Sequence, residues 1–319
     1  MHGICLMRGI LLEFMNETFT LRSGYDGLDI SVLLDRPEVP SIAVLQLAHG
    51  MRGCKERYQP FMDYMAAHGV VCIANDHRGH GSSVRFPEDR GYMYAGGYAA
   101  LVADMKMVTD WAHERFPDLP VFLLGHSMGS LAARTYLKMF DDSVAGAIIC
   151  GSPGDHRYLR PPAMVFLRLM NMFDDGWYRP VMLQKAVSAS FNRRFRSEGS
   201  NAWTCSDPAS RESFARNPFC SFYLTSNAIY ALMRMMHETY SDAGWHMANP
   251  SIPLYFISGA DDPCMGGESA FHRSAQHMAD LGYDNVTSAL FSDMRHEILN
   301  EKEKEMVWED ILEHIKSWI

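Results

Sequence analysis

The chain has 319 residues, 47% hydrophobic and 21% charged, with a net charge of −9. These proportions exclude a disordered or low-complexity chain, and the acidic balance argues against a nucleic-acid binder. At roughly 150 residues per domain the length allows two domains, or one large α/β domain with an insertion. No window approaches the ~18 apolar residues of a membrane span, and seven cysteines without metal-type spacing read as the reduced thiols of a cytoplasmic protein.

From the N-terminus, Arg8 is followed by only Gly9 to Leu12 before Glu13, too short an apolar run for an export signal. Residues 1–14 read as an extension or the product of an upstream start codon. Met15 opens two predicted antiparallel strands around the turn Tyr25-Asp26-Gly27. Apolar runs of strand length then recur at 42–48, 70–74, 121–124, 144–150, 254–257 and 286–291. They are continuous rather than alternating, as expected of strands buried on both faces of a parallel sheet. Helical patterns fall between and after them, at about 56–68, 97–115, 128–140, 266–281 and 303–318. Alternation of this kind predicts an α/β fold with a mostly parallel sheet flanked by helices. The rhythm stops between 155 and 247, where helical, aromatic-rich and arginine-rich sequence predicts a helical cap on a core of 1–154 and 248–319.

The chemistry concentrates at strand ends. Gly125-His126-Ser127-Met128-Gly129 follows a strand and opens a helix, the context of a nucleophile elbow, where a tight turn exposes the serine hydroxyl. Serine needs a base. In chain order an acid and a histidine should follow, each after a strand. Asp261-Asp262-Pro263 follows the 254–257 strand and His296 the last one. Of the two aspartates, Asp262 is preferred because the proline after it fixes the turn, leaving Asp261 a solvated turn residue. Ser127, Asp262 and His296 then form the expected catalytic set. Backbone N–H groups of Met128 and of Met51, in the loop after the first core strand, are the expected oxyanion donors. Asp76, Arg78 and His80 read as loop braces, and Cys264 as an inert thiol. Asp261, Asp262, His272, His277 and His296 match no metal-site spacing, and there is no phosphate-binding glycine loop, so no metal or cofactor is expected.

His49-Gly50-Met51, Arg57-Tyr58, Asp76 to Ser82, Gly125 to Gly129, Gly259 to Pro263 and Arg295 to Glu301 stand in one order. This series resembles the monoglyceride lipase and lysophospholipase group of α/β-hydrolases, also described as serine aminopeptidase-like, from about Met15 to the C-terminus. In the cap, Trp203 to Asp207 and Asn217 to Cys220 are similar to the family's insertion. Gly53-Cys54 departs from the family's usual Glu-His, and Trp203-Thr204-Cys205-Ser206-Asp207 from its Trp-Leu-Ser/Thr-Arg-Asp. The resemblance implies metal-free hydrolysis of monoacyl-lipid or similar small esters. The same triad also serves aryl esterases, thioesterases and acyltransferases, and a slow or inactive ligand-binding receptor is the alternative from another class. Peptidase activity is disfavoured because no cap acid is set aside for an α-amino group.

The cap holds 15 of the 37 aromatic residues in 93 positions and carries a net charge of +3. Within it, Phe191-Asn192-Arg193-Arg194-Phe195-Arg196 reads either as a solvated basic face or as the rim of the pocket. In the second reading Arg193, Arg194 and Arg196 attract a substrate phosphate or an anionic membrane surface.

Overall fold

The apolar runs pair in the computed structural model, which describes residues 4–7, 10–13, 15–155 and 160–319. In chain order the strands are β1 (Ile4–Met7), β2 (Ile10–Glu13), β3 (Met15–Arg22), β4 (Asp29–Arg36), β5 (Ala43–Ala48), β6 (Val70–Asn75), β7 (Val121–His126), β8 (Gly146–Cys150), β9 (Leu254–Gly259) and β10 (Val286–Phe291). The helices are α1 (Gln59–Ala67), α2 (Gly97–Arg115), α3 (Met128–Phe140), α4 (Arg160–Asp174), α5 (Val181–Phe191), α6 (Pro208–Arg216), α7 (Ser226–Thr239), α8 (Glu268–Leu281) and α9 (Lys304–Trp318).

β3 to β10 form one sheet in the order β10-β9-β8-β7-β5-β6-β4-β3. β10 through β6 run parallel, and β4 and β3 close one edge antiparallel, as expected. β1 and β2 make a separate antiparallel pair, so the stretch read as an extension includes a hairpin.

Alternate residues of the central strands face opposite helical layers. Val44, Ile73, Leu123, Ile149 and Phe256 pack under α2, α3, α7 and α8. Leu45, Cys72, Leu124, Ile148 and Ile257 pack under α1 and α9. Burial on both faces is why these strands read as unbroken apolar runs. β10 departs from the expectation. As the edge strand it is half exposed, with a mixed burial pattern.

Two predicted helices shift for local reasons. The 56–68 pattern divides into a 3-10 turn at Lys55–Tyr58 and α1, with Pro60 in the first turn of α1, where its missing N–H costs nothing. The 266–281 pattern begins only at Glu268, because Gly266 and Gly267 take positive φ.

Between β8 and β9 the described residues hold α4 to α7 and a 3-10 helix at Asn192–Glu198. The last of these is seated deeply: Ala228, Ala231, Met235 and Met236 of α7 join the core cluster beside α2 and α3. None of the described helices is long and apolar enough to cross a membrane.

Candidate active site

The site lies at the C-terminal ends of β5, β7, β9 and β10. β7 ends at His126, and the chain turns at Ser127 with φ 56° and ψ −117° before α3 starts at Met128. A non-glycine residue in this region is strained. What holds it is close packing of the two glycines. A Cβ on Gly125 would lie 2.2 Å from the Gly129 carbonyl oxygen, and one on Gly129 would lie 2.0 Å from that of Ala48. The Ser127 N–H donates to the Cys150 carbonyl at 2.9 Å, stitching the turn to β8.

Ser127 Oγ lies 2.8 Å from His296 Nε2. His296 Nδ1–H donates to Asp262 Oδ2 at 2.9 Å. Asp262 is buried and also accepts the Ser258 hydroxyl at Oδ2 and the Cys264 N–H at Oδ1, 3.1 and 2.8 Å away. Burial alone would lower the His296 pKa, but the charge and hydrogen bond of Asp262, with Glu297 behind them, raise it above its ordinary value. Asp261 points elsewhere and forms an ion pair with Arg194, Nη1 to Oδ1 2.6 Å. Of the three cap arginines named from the sequence, Arg194 is thus paired beside the acid loop, while Arg193 and Arg196 are exposed.

Met51 and Met128 flank the serine. As the first residue of α3, Met128 has an N–H outside the helical ladder. On the other side, a Cβ at Gly50 would lie 3.1 Å from Ser127 Cβ. The Gly50 carbonyl accepts from His49 Nδ1–H at 2.7 Å and from the Gly53 N–H at 3.0 Å. Because a trans peptide sets its C=O and N–H on opposite sides, pinning this carbonyl fixes the direction of the Met51 N–H. Burial pulls the His49 pKa down to about 4, and His49 Nε2 accepts the His77 N–H. The imidazole is therefore a neutral, fixed donor.

Asp76, Arg78 and His80 brace loops, as read. Asp76 accepts from Lys55 N–H, Lys55 Nζ and the Ser82 N–H at 2.8–2.9 Å. Arg78 donates to Asp104 and Asp26, and the His80 ring donates to the Arg78 carbonyl. The Cys264 thiol is pushed well up in pKa by burial, so it is no thiolate. Among the described residues Asp262, Cys264 and His296 make a compact group of possible metal donors, but its His296 Nδ1 and Asp262 Oδ2 already bond each other.

Several residues around His296 stood in the motifs of the sequence reading without a role assigned to them. The Tyr58 hydroxyl donates to His126 Nδ1 at 3.1 Å, and His126 Nε2–H donates to the His296 carbonyl at 3.0 Å. Burial drops the His126 pKa to about 3, keeping it neutral for this task. Arg295 reaches the segment between β8 and β9, bonding Glu198 and the Ala202 carbonyl. The Glu297 N–H donates to the Thr204 carbonyl at 2.7 Å, and the Glu297 carboxylate pairs with Arg57. Glu301 accepts from the Arg295 and Ser206 N–H groups. The Trp203 ring lies 5.1 Å from that of His296. These partners are separated by up to 240 residues, so no local pattern could announce them.

A family model described as Hydrolase_4, serine aminopeptidase S33, matches residues 40–303. The chain belongs to this family. It is similar to a monoacylglycerol lipase of Mycolicibacterium smegmatis, 22% identical over 93% of this chain and 95% of the relative. A shorter match, to the monoglyceride lipase of Homo sapiens, is 32% identical over 28% of each chain. Among solved structures, a thermostable carboxyl esterase from Bacillus coagulans superposes with a TM-score of 0.87 at 24% identity, covering 95% of this chain and 98% of that one. A monoglyceride lipase of Saccharomyces cerevisiae superposes with a TM-score of 0.71 at 16% identity, covering 96% and 97%. The protein is a monoacylglycerol lipase-like α/β-hydrolase, a member of the serine hydrolases.

Proposed function

We propose that this enzyme hydrolyses carboxylic esters of monoacyl lipids, of the monoacylglycerol or lysophospholipid kind, through an acyl-enzyme on Ser127. The observation that carries the reading is the unbroken chain from Ser127 Oγ through His296 to Asp262, with bonds of 2.8 and 2.9 Å. His296 Nε2 takes the serine proton as Oγ attacks the ester carbonyl, and Asp262 holds the tautomer and stabilises the imidazolium. The N–H groups of Met51 and Met128 receive the oxyanion. His296 protonates the leaving alcohol, then activates the water that releases the acid. No step calls on a metal or cofactor.

In this reading residues 155–247 act as the cap over a core of 1–154 and 248–319. A lipid substrate is supported by an apolar face on α4 and α5, where Phe166, Leu169, Met172, Phe173, Met182 and Leu183 are all exposed, Phe173 at 89%. Exposed apolar surface of this extent suits transient contact with a membrane. Arg193 and Arg196, in the turn after α5, add positive charge for an anionic surface.

The test is a series of p-nitrophenyl esters of increasing chain length beside monoacylglycerols and lysophospholipids, with fluorophosphonate labelling of Ser127. Labelling with a preference for the longer or lipid esters is expected. Labelling without turnover of any ester would overturn the reading. Replacing Met172 and Phe173 by serine should reduce co-sedimentation with vesicles, and unchanged co-sedimentation would remove the membrane role of α4.

A further inference from the structure

The loop after β5, which approaches the nucleophile at Gly50, carries three cations, and two of them are neutralised. Lys55 is held by Glu56 and Asp76, and Arg57 by Glu297. Arg52 differs. Its Nε donates to the Cys220 carbonyl at 3.3 Å. Its guanidinium carbon lies 5.4 Å from the centre of the Tyr223 ring and 5.7 Å from that of Phe214. Among the described residues no carboxylate pairs with it, and its two terminal nitrogens have no acceptor.

This is a costly arrangement for a residue of purely structural use. A half-buried cation gives up hydration, and an acid normally compensates it. Here burial pulls the Arg52 pKa down, opposed only by Tyr223 and Cys220; a guanidinium nonetheless stays charged at neutral pH. The backbone adds strain, since Arg52 has φ 60°, where glycine would sit freely. The location matters as well. Arg52 directly follows Met51, and the loop passes so close to the nucleophile that a Cβ on Gly50 would lie 3.1 Å from Ser127 Cβ. The aromatic rings lie beside the guanidinium and the Cys220 carbonyl takes one edge of the fork, leaving the other nitrogens for a ligand that accepts from two donors at once.

We propose that Arg52 is the anion-binding residue of the substrate site, and that the enzyme's preferred ester carries a phosphate in its headgroup. The inference rests on the ester-hydrolase reading above. It narrows that reading from monoacyl esters in general to those with an anionic headgroup. A guanidinium fork holds phosphate oxygens bidentately, which would anchor the headgroup while the carbonyl rests at the neighbouring Met51 N–H. The solvated arginines of the cap cannot supply this, because exposed charges are screened and bind with little geometric selection.

The test compares the hexanoyl ester of glycerol phosphate with monohexanoylglycerol, two soluble esters of one acyl chain. The wild type should favour the phosphorylated ester. Arg52→Gln should lower the ratio of kcat/KM values, anionic over neutral, by about 10- to 100-fold, the size of a charge-assisted hydrogen bond or two. Arg52→Lys, which keeps the charge but not the fork, should fall between. An unchanged ratio in Arg52→Gln overturns the assignment and leaves the ester reading standing.

A binding arm is independent of turnover. Ser127→Ala protein is titrated with glycerol phosphate by calorimetry, with and without Arg52→Gln. Weaker binding in the double variant supports the site even if the wild type cleaves neither ester, in which case only the ester reading falls. Equal binding overturns the site. Inorganic phosphate should bind more weakly than glycerol phosphate; equal affinity would mark a free-phosphate site and overturn the headgroup assignment.

Discussion

Exchanging Asp262 for asparagine tests the triad more sharply than removing the serine, because the structure says which way the new amide must face. Asp262 Oδ1 accepts the Cys264 N–H at 2.8 Å, while Oδ2 faces His296 Nδ1 at 2.9 Å and the Ser258 hydroxyl at 3.1 Å. An amide nitrogen placed at the Oδ1 position would meet a donor, so the asparagine oxygen takes that place and the NH2 turns to His296. The amide then donates to Nδ1, which must give up its proton. The imidazole carries its hydrogen on Nε2 instead, pointing at Ser127 Oγ, and has no lone pair left for the serine proton. A triad aspartate changed this way costs about 10⁴-fold in kcat, or roughly 5.5 kcal/mol of barrier. Asp261 gives the contrast. Its partner Arg194 is 70% exposed at the side chain, and such a pair is worth about 0–1 kcal/mol, so Asp261→Asn should cost less than about 5-fold. Turnover of p-nitrophenyl butyrate is the assay, with melting temperatures to show that both variants fold. An Asp262→Asn enzyme within tenfold of wild type, or the reverse ranking of the two aspartates, would refute the reasoning.

Four further outcomes are expected. Ser127→Ala should abolish turnover, and Ser127→Ala with His296→Ala should be little worse, since triad members act as a unit; additive losses in single-turnover kinetics would show that they act separately. The ratio kcat/KM should rise with pH through a His296 pKa above the ordinary 6.5, because only the neutral ring accepts a proton. The same raised pKa means that the imidazolium–Asp262 pair contributes stability fully below the unfolded pKa and loses it as pH rises through the folded one. Melting of wild type against His296→Ala over that window measures the loss, and a parallel pH dependence of the two would contradict it. Glu301→Ala leaves the buried N–H of Arg295 and the half-buried N–H of Ser206 without an acceptor, at about 1–3 kcal/mol for the buried one and less for the other. Chemical denaturation should show a loss of several kcal/mol, and a loss under about 1 kcal/mol would mean that water replaces the carboxylate.

The parts of this molecule that were legible in its sequence are those built from consecutive residues. Buried strands such as 70–75 and 121–126 announce themselves because both faces are covered, and the elbow does so because Gly125 and Gly129 answer to a steric need five residues wide. Val286–Phe291 reads as the same kind of buried run although it holds Thr287 and Ser288, and it forms a half-exposed edge, so the two hydroxyl residues were the signal that one face is uncovered. The preference for Asp262 over Asp261 came from the turn alone, and it is Asp262 that bonds His296. The support of the base was not legible. Arg57 and Glu297 stand 240 residues apart and Arg295 and Glu198 97 apart, so only the folded chain brings them together, and α7 could not be recognised as part of the core cluster from its own apolar stripe.

That asymmetry bears on how the site works. Ser127 is positioned by the core alone, through Gly125, Gly129 and the Cys150 carbonyl. His296 is held from two sides. The Asp262 and His126 bonds to it come from the strand ends, while Arg295 and Glu297, its chain neighbours, both bond to residues 198–205 between β8 and β9. A nucleophile fixed by close packing tolerates little error, because a displaced Gly129 meets backbone. Hydrogen bonds from residues 198–205 to Arg295 and Glu297 thus reach within one residue of the 2.8 Å contact between Ser127 Oγ and His296 Nε2, whereas the turn at Ser127 is held by backbone packing.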